Sequence, residues 1–309
     1  MRAAHVYILG EAMLELSGTG DAVRLGDTVT LAQGGDTLNT AVHMARAGIT
    51  VDYVTALGLD PYSRAMVAAW QGEGIGIRHV LRHPERLPGL YAIRTDAAGE
   101  RSFHYWRDNS AARALFDLPE AEAAIAAAER ADWLYFSGIS LSVLPHAGRE
   151  RLLDLAAAVR KRGGRVAFDP NFRPRGWPDP SIARTLFARL APDLNLVLPS
   201  LDDEDVLYGR ADPGVHMARW REAGAGMVVA KQGAQGCWVL ADTMSEPKHH
   251  PTRPAERVVD TTGAGDGFNA GFLAAIINGA TPGEAALAAN ALAREVVGHP
   301  GAIAPSRHR

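Results

Sequence analysis

The stretch Asp260–Phe272, DTTGAGDGFNAGF, sets one carboxylate, Asp266, among Gly263, Gly265 and Gly267 and then runs into an apolar segment. Glycine permits close backbone approach and positive φ, and Gly263 and Gly265 both offer that freedom here. A helix starting at about Ala264 to Gly267 would aim its unpaired N–H groups, reinforced by the helix dipole, at whatever lies above Gly263–Gly265. That is an anion site. An acid beside an anion site is poorly suited to hold phosphate. It is well suited to take a proton from a nucleophile that attacks phosphate. The alternative is an aspartate cap on a buried helix, with glycines for a tight turn.

No G-x-x-x-x-G-K-[ST] and no G-x-G-x-x-G occurs, so a phosphate site must be neither a Walker loop nor a dinucleotide fold's glycine turn. Across 309 residues, 32 Lys and Arg face 35 Asp and Glu, a net charge of -3. This gives no electrostatic reason to expect nucleic acid or a membrane surface as partner. The single cysteine, Cys237, excludes an internal disulfide and suits a reducing cytoplasm. The opening MRAAHVYILGEAMLEL holds only a short apolar run, broken by Glu11 and Glu15, and reads as a strand rather than a signal peptide. No window approaches the length of a membrane span.

The elements that must position Asp266 follow from periodicity. HVYIL, VDYVTAL, WLYFS, RVAFD, LNLVLP and GMVVA are short apolar runs. Helical patterns such as LNTAVHMARAG, stopped at Gly48, and PYSRAMVAAWQGEG, opened by Pro61, alternate with them. This rhythm predicts an α/β fold, a mostly parallel central sheet between helical layers, in one domain over residues 1–309. Two regions break it. AMLELS with AVRLGDTVTLA, and GLYAIRTDAAGERSFHYWR with its turn at DAAGE, predict a small separate β-sheet with strands at about 12–31 and 90–107. Alternation places Tyr91 with Ile93 on one face, and Phe103, Tyr105 and Arg107 on one face. DTMSEPKHHPTRPAE reads as a polar loop, and the final PSRHR as a frayed end.

The opening stretch, with QGGDTLNTAVHMARAG upstream, resembles the two signatures of the ribokinase-like (PfkB) carbohydrate kinases, in their usual order and across roughly Tyr7 to Ala302. The resemblance implies a three-layer sandwich with a small β-sheet lid, an ATP-dependent sugar kinase, Mg²⁺, a monovalent cation as a further candidate, and a homo-oligomer. It makes Asp266 the base for the sugar hydroxyl, and Gly263, Ala264 and Gly265 the anion hole. Gly34, Gly35 and Asn39 match the sugar-binding turn and helix start. KQGAQG, with Lys231, Gly233 and Gly236, matches a glycine-bearing hairpin near the nucleotide. Asn290, on what reads as the penultimate helix, matches a position near the adenine. One departure stands out: the family's N-x-x-E is replaced by PSLDDEDVLYG, where Ser200 holds the Asn position. Either Asp203 or Glu204 could supply the acid, through water, so the metal's protein contacts stay open.

Arginine gives a bidentate fit to a carboxylate, and Arg107 and Arg173 lie at strand ends where open α/β sheets bind ligands. PGLYAIRTDAAGERSFHYWRDNSAAR, FDPNFRPRGW and LPSLDDEDVLYG resemble the family branch that acts on a sugar acid, 2-dehydro-3-deoxy-D-gluconate, at its 6-hydroxyl. That resemblance puts Tyr91, Tyr105, Arg107 and Arg173 in the acceptor site. A neutral sugar such as fructose or ribose is the alternative substrate. A binding protein without catalysis is the alternative of another class; an altered Asp266 or a filled anion turn would have favoured it.

Overall fold

The structure is a computed structural model that describes residues 4–19, 26–95 and 101–305. Along the chain come β1 (His5–Leu9), β2 (Met13–Thr19), β3 (Thr30–Gly34), α1 (Asp36–Arg46), β4 (Thr50–Leu57), α2 (Pro61–Gly72), β5 (Val80–Arg82), β6 (Gly89–Thr95) and β7 (Arg101–Trp106). Then follow α3 (Ala121–Ala128), β8 (Trp133–Ser137), α4 (Gly138–Val143), α5 (His146–Lys161), β9 (Arg165–Asp169), α6 (Pro180–Leu190), β10 (Leu196–Val197), α7 (Leu201–Tyr208) and α8 (Pro213–Glu222). The chain closes with β11 (Met227–Lys231), β12 (Cys237–Leu240), β13 (Lys248–His250), α9 (Ala264–Ile277) and α10 (Pro282–Val296). Helix starts carry their own chemistry. Asp60 caps α2 by accepting from the Ser63 amide at 2.9 Å, with Pro61 as the first helical residue. Thr281 and Glu284 close a reciprocal capping box on α10.

The large sheet has the order β13-β12-β11-β10-β9-β8-β1-β4-β5. Every neighbouring pair from β11 to β5 is parallel, while β12 and β13 add antiparallel strands at one edge. Alternate residues of β1 explain why its strands read as unbroken apolar runs. Tyr7 and Leu9 enter one core with Phe136 and Phe168. Val6 and Ile8 enter the other, with Tyr135 and Ala167. A sheet buried on both faces needs apolar residues on both.

The small sheet has the order β3-β2-β6-β7. Its β6–β7 pair sets Tyr91 opposite Tyr105 and Ile93 opposite Phe103, as alternation predicted. Met13, Tyr91 and Ile93 form a minor core on one face, with Phe103 packed against it. Three expectations change. β3 runs on to Gly34, beyond the predicted strand region, and so ends at the double glycine before α1. The stretch read as a polar loop contributes β13, because Lys248–His250 find open backbone partners on β12. Asn290 lies on the last described helix, not the penultimate one. The DAAGE turn, Ala22–Leu25 of the second lid run and the last four residues of PSRHR lie outside the described residues.

Candidate active site

Open α/β sheets bind ligands beyond the carboxyl ends of their parallel strands. Here Glu11 lies just past β1, Asp169 closes β9, Ser200 follows β10, and Lys231 closes β11. The starts of α1 and α9 meet above these ends. Asn39 Nδ2 donates to Asp266 Oδ2 at 2.8 Å, and Thr40 Oγ1 donates to the Asp266 carbonyl at 3.3 Å. The two sequence signatures thus touch directly.

Gly263 takes φ 75°, in the left-handed region, and caps α9. A side chain there would be strained and would also lie 2.6 Å from Ala302. Gly265 differs from expectation: it sits in the first helical turn without positive φ, and the nearest atom to a Cβ there is Lys231 Nζ at 3.8 Å. The Ala264 amide turns back to the Thr261 carbonyl at 3.3 Å. The amides of Gly265 and Asp266, which have no partner within the helix, remain for an anion. The two glycines therefore separate fold from chemistry. We expect Gly263→Ala to lower the denaturation midpoint, at a cost of about 1–2 kcal/mol for the left-handed backbone alone. Gly265→Ala should unfold at or above the wild-type midpoint, since Ala suits a helix turn, yet lose about tenfold or more in turnover by filling the anion's space. A Gly265→Ala enzyme with normal turnover would put the anion hole elsewhere.

The Asp266 carboxyl is raised from its ordinary value to about 7, first by loss of water around it and then by the neighbouring Asp36 carboxylate; the Asn39 hydrogen bond opposes the shift. A base held near neutrality is matched to proton removal near physiological pH.

Below it lies a polar hub that sequence reading did not assemble. The Asp169 carboxylate, 3% exposed, accepts from Lys231 Nζ at 2.7 Å, Asn269 Nδ2 at 2.6 Å and the Asn171 amide at 3.0 Å. Lys231 Nζ also donates to Asn269 Oδ1 at 3.0 Å, and Asn269 reaches the Tyr135 hydroxyl at 3.1 Å. Lys231 thus stands beside Gly265, at the start of α9. Asn171 takes φ 35°, uncommon for a residue with a side chain. Its Nδ2 donates to Asp36 Oδ2 at 2.8 Å. Asp36 is the missed acid of GGDTLN, one residue past the helix cap Gly35.

On the acceptor side, a Cβ at Gly34 would overlap the Tyr91 hydroxyl, so glycine admits that ring. Tyr91 donates to Glu15, and its ring centre lies 5.9 Å from that of Tyr105. Tyr105 is exposed, with the Arg107 guanidinium 5.7 Å from its ring centre. Arg107 and Ser110 both donate to Glu11, which is buried. Arg107 Nε and Asn39 Oδ1 are buried without any hydrogen-bond partner. Arg173 donates to Asp203 at 2.7 Å and to the Phe172 carbonyl at 2.8 Å.

The acid question narrows. Glu204 accepts from Trp220 Nε1 at 3.2 Å, lies 3.5 Å from Arg219 and is 1% exposed. It serves the α7–α8 contact, and burial pushes its carboxyl up to about 7. Its carboxylate is thus engaged by α8, while Asp203 is engaged by Arg173. Ser200 starts α7 without a side-chain cap bond, so its hydroxyl is not spent on capping. Gly233 and Gly236 form the β11–β12 turn. Asn290 Nδ2 donates to the His250 carbonyl at 3.1 Å, tying α10 to β13. A hollow of about 650 Å³ opens at the opposite ends of β8 and β9. Its Arg162 is paired with Glu129 and its Arg165 lies over Trp133.

A carboxylate raised towards neutrality beside a helix-start anion turn and a lysine, at the carboxyl ends of a doubly wound sheet with a small second sheet, suits proton removal next to a bound anion. The family described as pfkB family carbohydrate kinase matches residues 3–309, and the chain belongs to it. It is 40% identical to 2-dehydro-3-deoxygluconokinase of Dickeya dadantii, over 99% of this chain and 98% of that one. It is 30% identical to a fructokinase of Salmonella typhimurium, over 90% of this chain and 86% of the other. A putative ribokinase II from E. coli, solved with ATP and Mg²⁺, shares the fold with a TM-score of 0.84, 21% identity, and coverage of 97% and 94%.

Proposed function

We propose that the chain phosphorylates 2-dehydro-3-deoxy-D-gluconate at its 6-hydroxyl, with ATP as donor, in sugar-acid catabolism of the Entner–Doudoroff type. The observation that carries it is the pair of orphaned atoms in the acceptor site. Arg107 Nε is a donor without an acceptor, and Asn39 Oδ1 an acceptor without a donor. Buried polar atoms are rarely left so unless a ligand or an ordered water completes them. The 40% identity to the Dickeya enzyme, against 30% to the fructokinase, favours the acid over a neutral sugar. Intact Asp266 and an open Gly265 favour catalysis over binding alone.

In this reading Asp266 takes the proton of the C6 hydroxyl as that oxygen attacks the γ-phosphorus. The bond from phosphorus to the bridging oxygen breaks, ADP leaves, and the proton stays on Asp266. The amides of Gly265 and Asp266, with Lys231, stabilise the charge on the transferred group. Gly34, Gly35, Asp36, Asn39, Tyr91, Tyr105, Arg107 and Arg173 hold the acceptor; Ser200, Gly233, Gly236 and Asn290 line the nucleotide side. Magnesium, when bound, neutralises phosphate charge and keeps several waters. Partly exposed Asp203 fits an outer contact to it, and among the described residues no cluster of three or more ligands offers a cage. Dependence on a monovalent cation is read by comparing turnover in potassium and choline chloride.

The substrate reading has a direct test. Arg173→Ala should lower kcat/KM for the acid by about one to two decades, the worth of a charged hydrogen bond of about 1.5–3 kcal/mol. The weak reaction with fructose should hardly change. A wild-type enzyme that prefers fructose or ribose would overturn the substrate and leave the kinase standing. We also propose a homo-oligomer. Leu31 and Trp106, both exposed on the small sheet, supply apolar surface for a second copy, and light scattering of the purified protein reads the mass. No helix among the described residues is long and apolar enough to cross a membrane. The buried thiol of Cys237 suits a cytoplasmic setting.

A further inference from the structure

We infer that Asp203 makes recognition of the acid acceptor conditional on the metal-bound nucleotide, by occupying Arg173 until that nucleotide arrives. The inference rests on the sugar-acid reading above. Two cations serve the acceptor side, and they are held in opposite ways. The Glu11 side chain, partner of Arg107, is 1% exposed and also takes the Ser110 hydroxyl. A carboxylate so enclosed cannot be released to water without great cost, so this pair stays together. Arg107 keeps its Glu11 bond and offers an incoming sugar its free Nε, a donor suited to a hydroxyl.

Arg173 is different. Its partner Asp203 stands in the first turn of α7, and the two side chains are 55% and 19% exposed. With one partner exposed, this pair is weaker and exchanges more readily than the enclosed Arg107–Glu11 pair. Asp203 also feels the charges of Asp169 and Lys231, so the electrostatics of the polar hub reach it. It can therefore serve two cations, the guanidinium it holds and a metal brought in with the nucleotide. A doubly charged ion attracts a carboxylate more strongly than a guanidinium at equal distance. Asp203 turning to it, directly or through water, leaves Arg173 with an unspent fork for the acceptor's carboxylate. Without nucleotide, that carboxylate meets an arginine already neutralised and a like charge beside it. Linkage makes the effect reciprocal, so each ligand tightens the other by the same factor.

Calorimetric titration of 2-keto-3-deoxygluconate into the full-length protein tests this, alone and with Mg²⁺ plus a non-hydrolysable ATP analogue. For wild type we expect the metal–nucleotide to tighten the acid by about tenfold, within the usual range of about 5–150-fold for coupled sites. In Asp203→Asn the acid alone should bind about tenfold tighter than it does to wild type, with little further gain from nucleotide. Fructose should bind both proteins alike under both conditions. A second arm needs no variant: the analogue with EDTA should leave the wild-type affinity for the acid untightened. Equal affinity of the acid for wild type with and without the metal–nucleotide would overturn the inference alone, as would equal tightening without metal. An acid that did not bind even with nucleotide present would overturn the substrate reading and this inference with it.

Discussion

Asp266→Asn is expected to fold, bind ATP and turn over about 10²–10⁴-fold more slowly than wild type, the usual cost of losing a general base. The amide keeps the shape of the side chain and can still face Asn39, so positioning survives while proton removal does not. Wild-type turnover should fall on the acid side as Asp266 gains its proton, around its raised value near 7, and the variant's residual rate should lack that limb. Stability should move the other way. A carboxyl whose value is raised by folding stabilises the fold below its unfolded value, and that contribution is lost as pH rises through the folded value. Asp266→Asn should therefore unfold at a higher temperature than wild type at pH 8, with the gap closing towards pH 4. Near-normal turnover in a folded Asp266→Asn enzyme would remove Asp266 from the chemistry.

Lys231→Met carries the second large effect, on stability and rate together. Lys231 and Asp169 form a buried pair at 2.7 Å, with side chains 11% and 5% exposed. Removing one partner of such a pair leaves a buried charge unmatched and costs about 3–5 kcal/mol. Denaturant midpoints should show it. Lys231→Met with Asp169→Asn should recover part of the loss, because the stranded charge is gone. Turnover should stay low in both, by about 10²–10³-fold, since the cation beside Gly265 is missing in each. If the single variant lost stability but kept its rate, Lys231 would belong to the fold and not to the phosphate site.

Much of this was legible before any coordinates. The glycine–aspartate turn announced a helix start with a free acid, and α9 begins at Ala264 as its spacing required. Strand and helix alternation conveyed the parallel sheet, because burial on both faces demands continuous apolar runs. What stayed hidden were contacts between distant segments. Asp169 and Asn171 sit in FDPNFRPRGW, yet only Arg173 drew notice there, since a positive φ and a partner on β11 leave no mark on local pattern. An acid closing a parallel strand was the available signal. Asp36 carried the same signal as a first-turn acid of α1 and was passed over for its glycine neighbours. Asp203 and Glu204 are adjacent, and helical geometry turns one to Arg173 and the other into the α7–α8 contact.

The bond between Asn39 and Asp266 joins residues 227 positions apart. The segment behind the anion turn is later still: the Gly301 amide donates to Asp260 at 2.7 Å, His43 lies 3.3 Å from the Ala302 carbonyl, and Arg46 holds the Ala304 carbonyl. A growing chain therefore carries the start of α1 through almost the whole of synthesis without the carboxylate it pairs with. Local helices and neighbouring strands can form early, but loop closure over such a span comes late. These contacts cannot form until residues 260–304 have folded back onto α1, so the meeting of the two signatures comes as one of the last events in the making of the molecule.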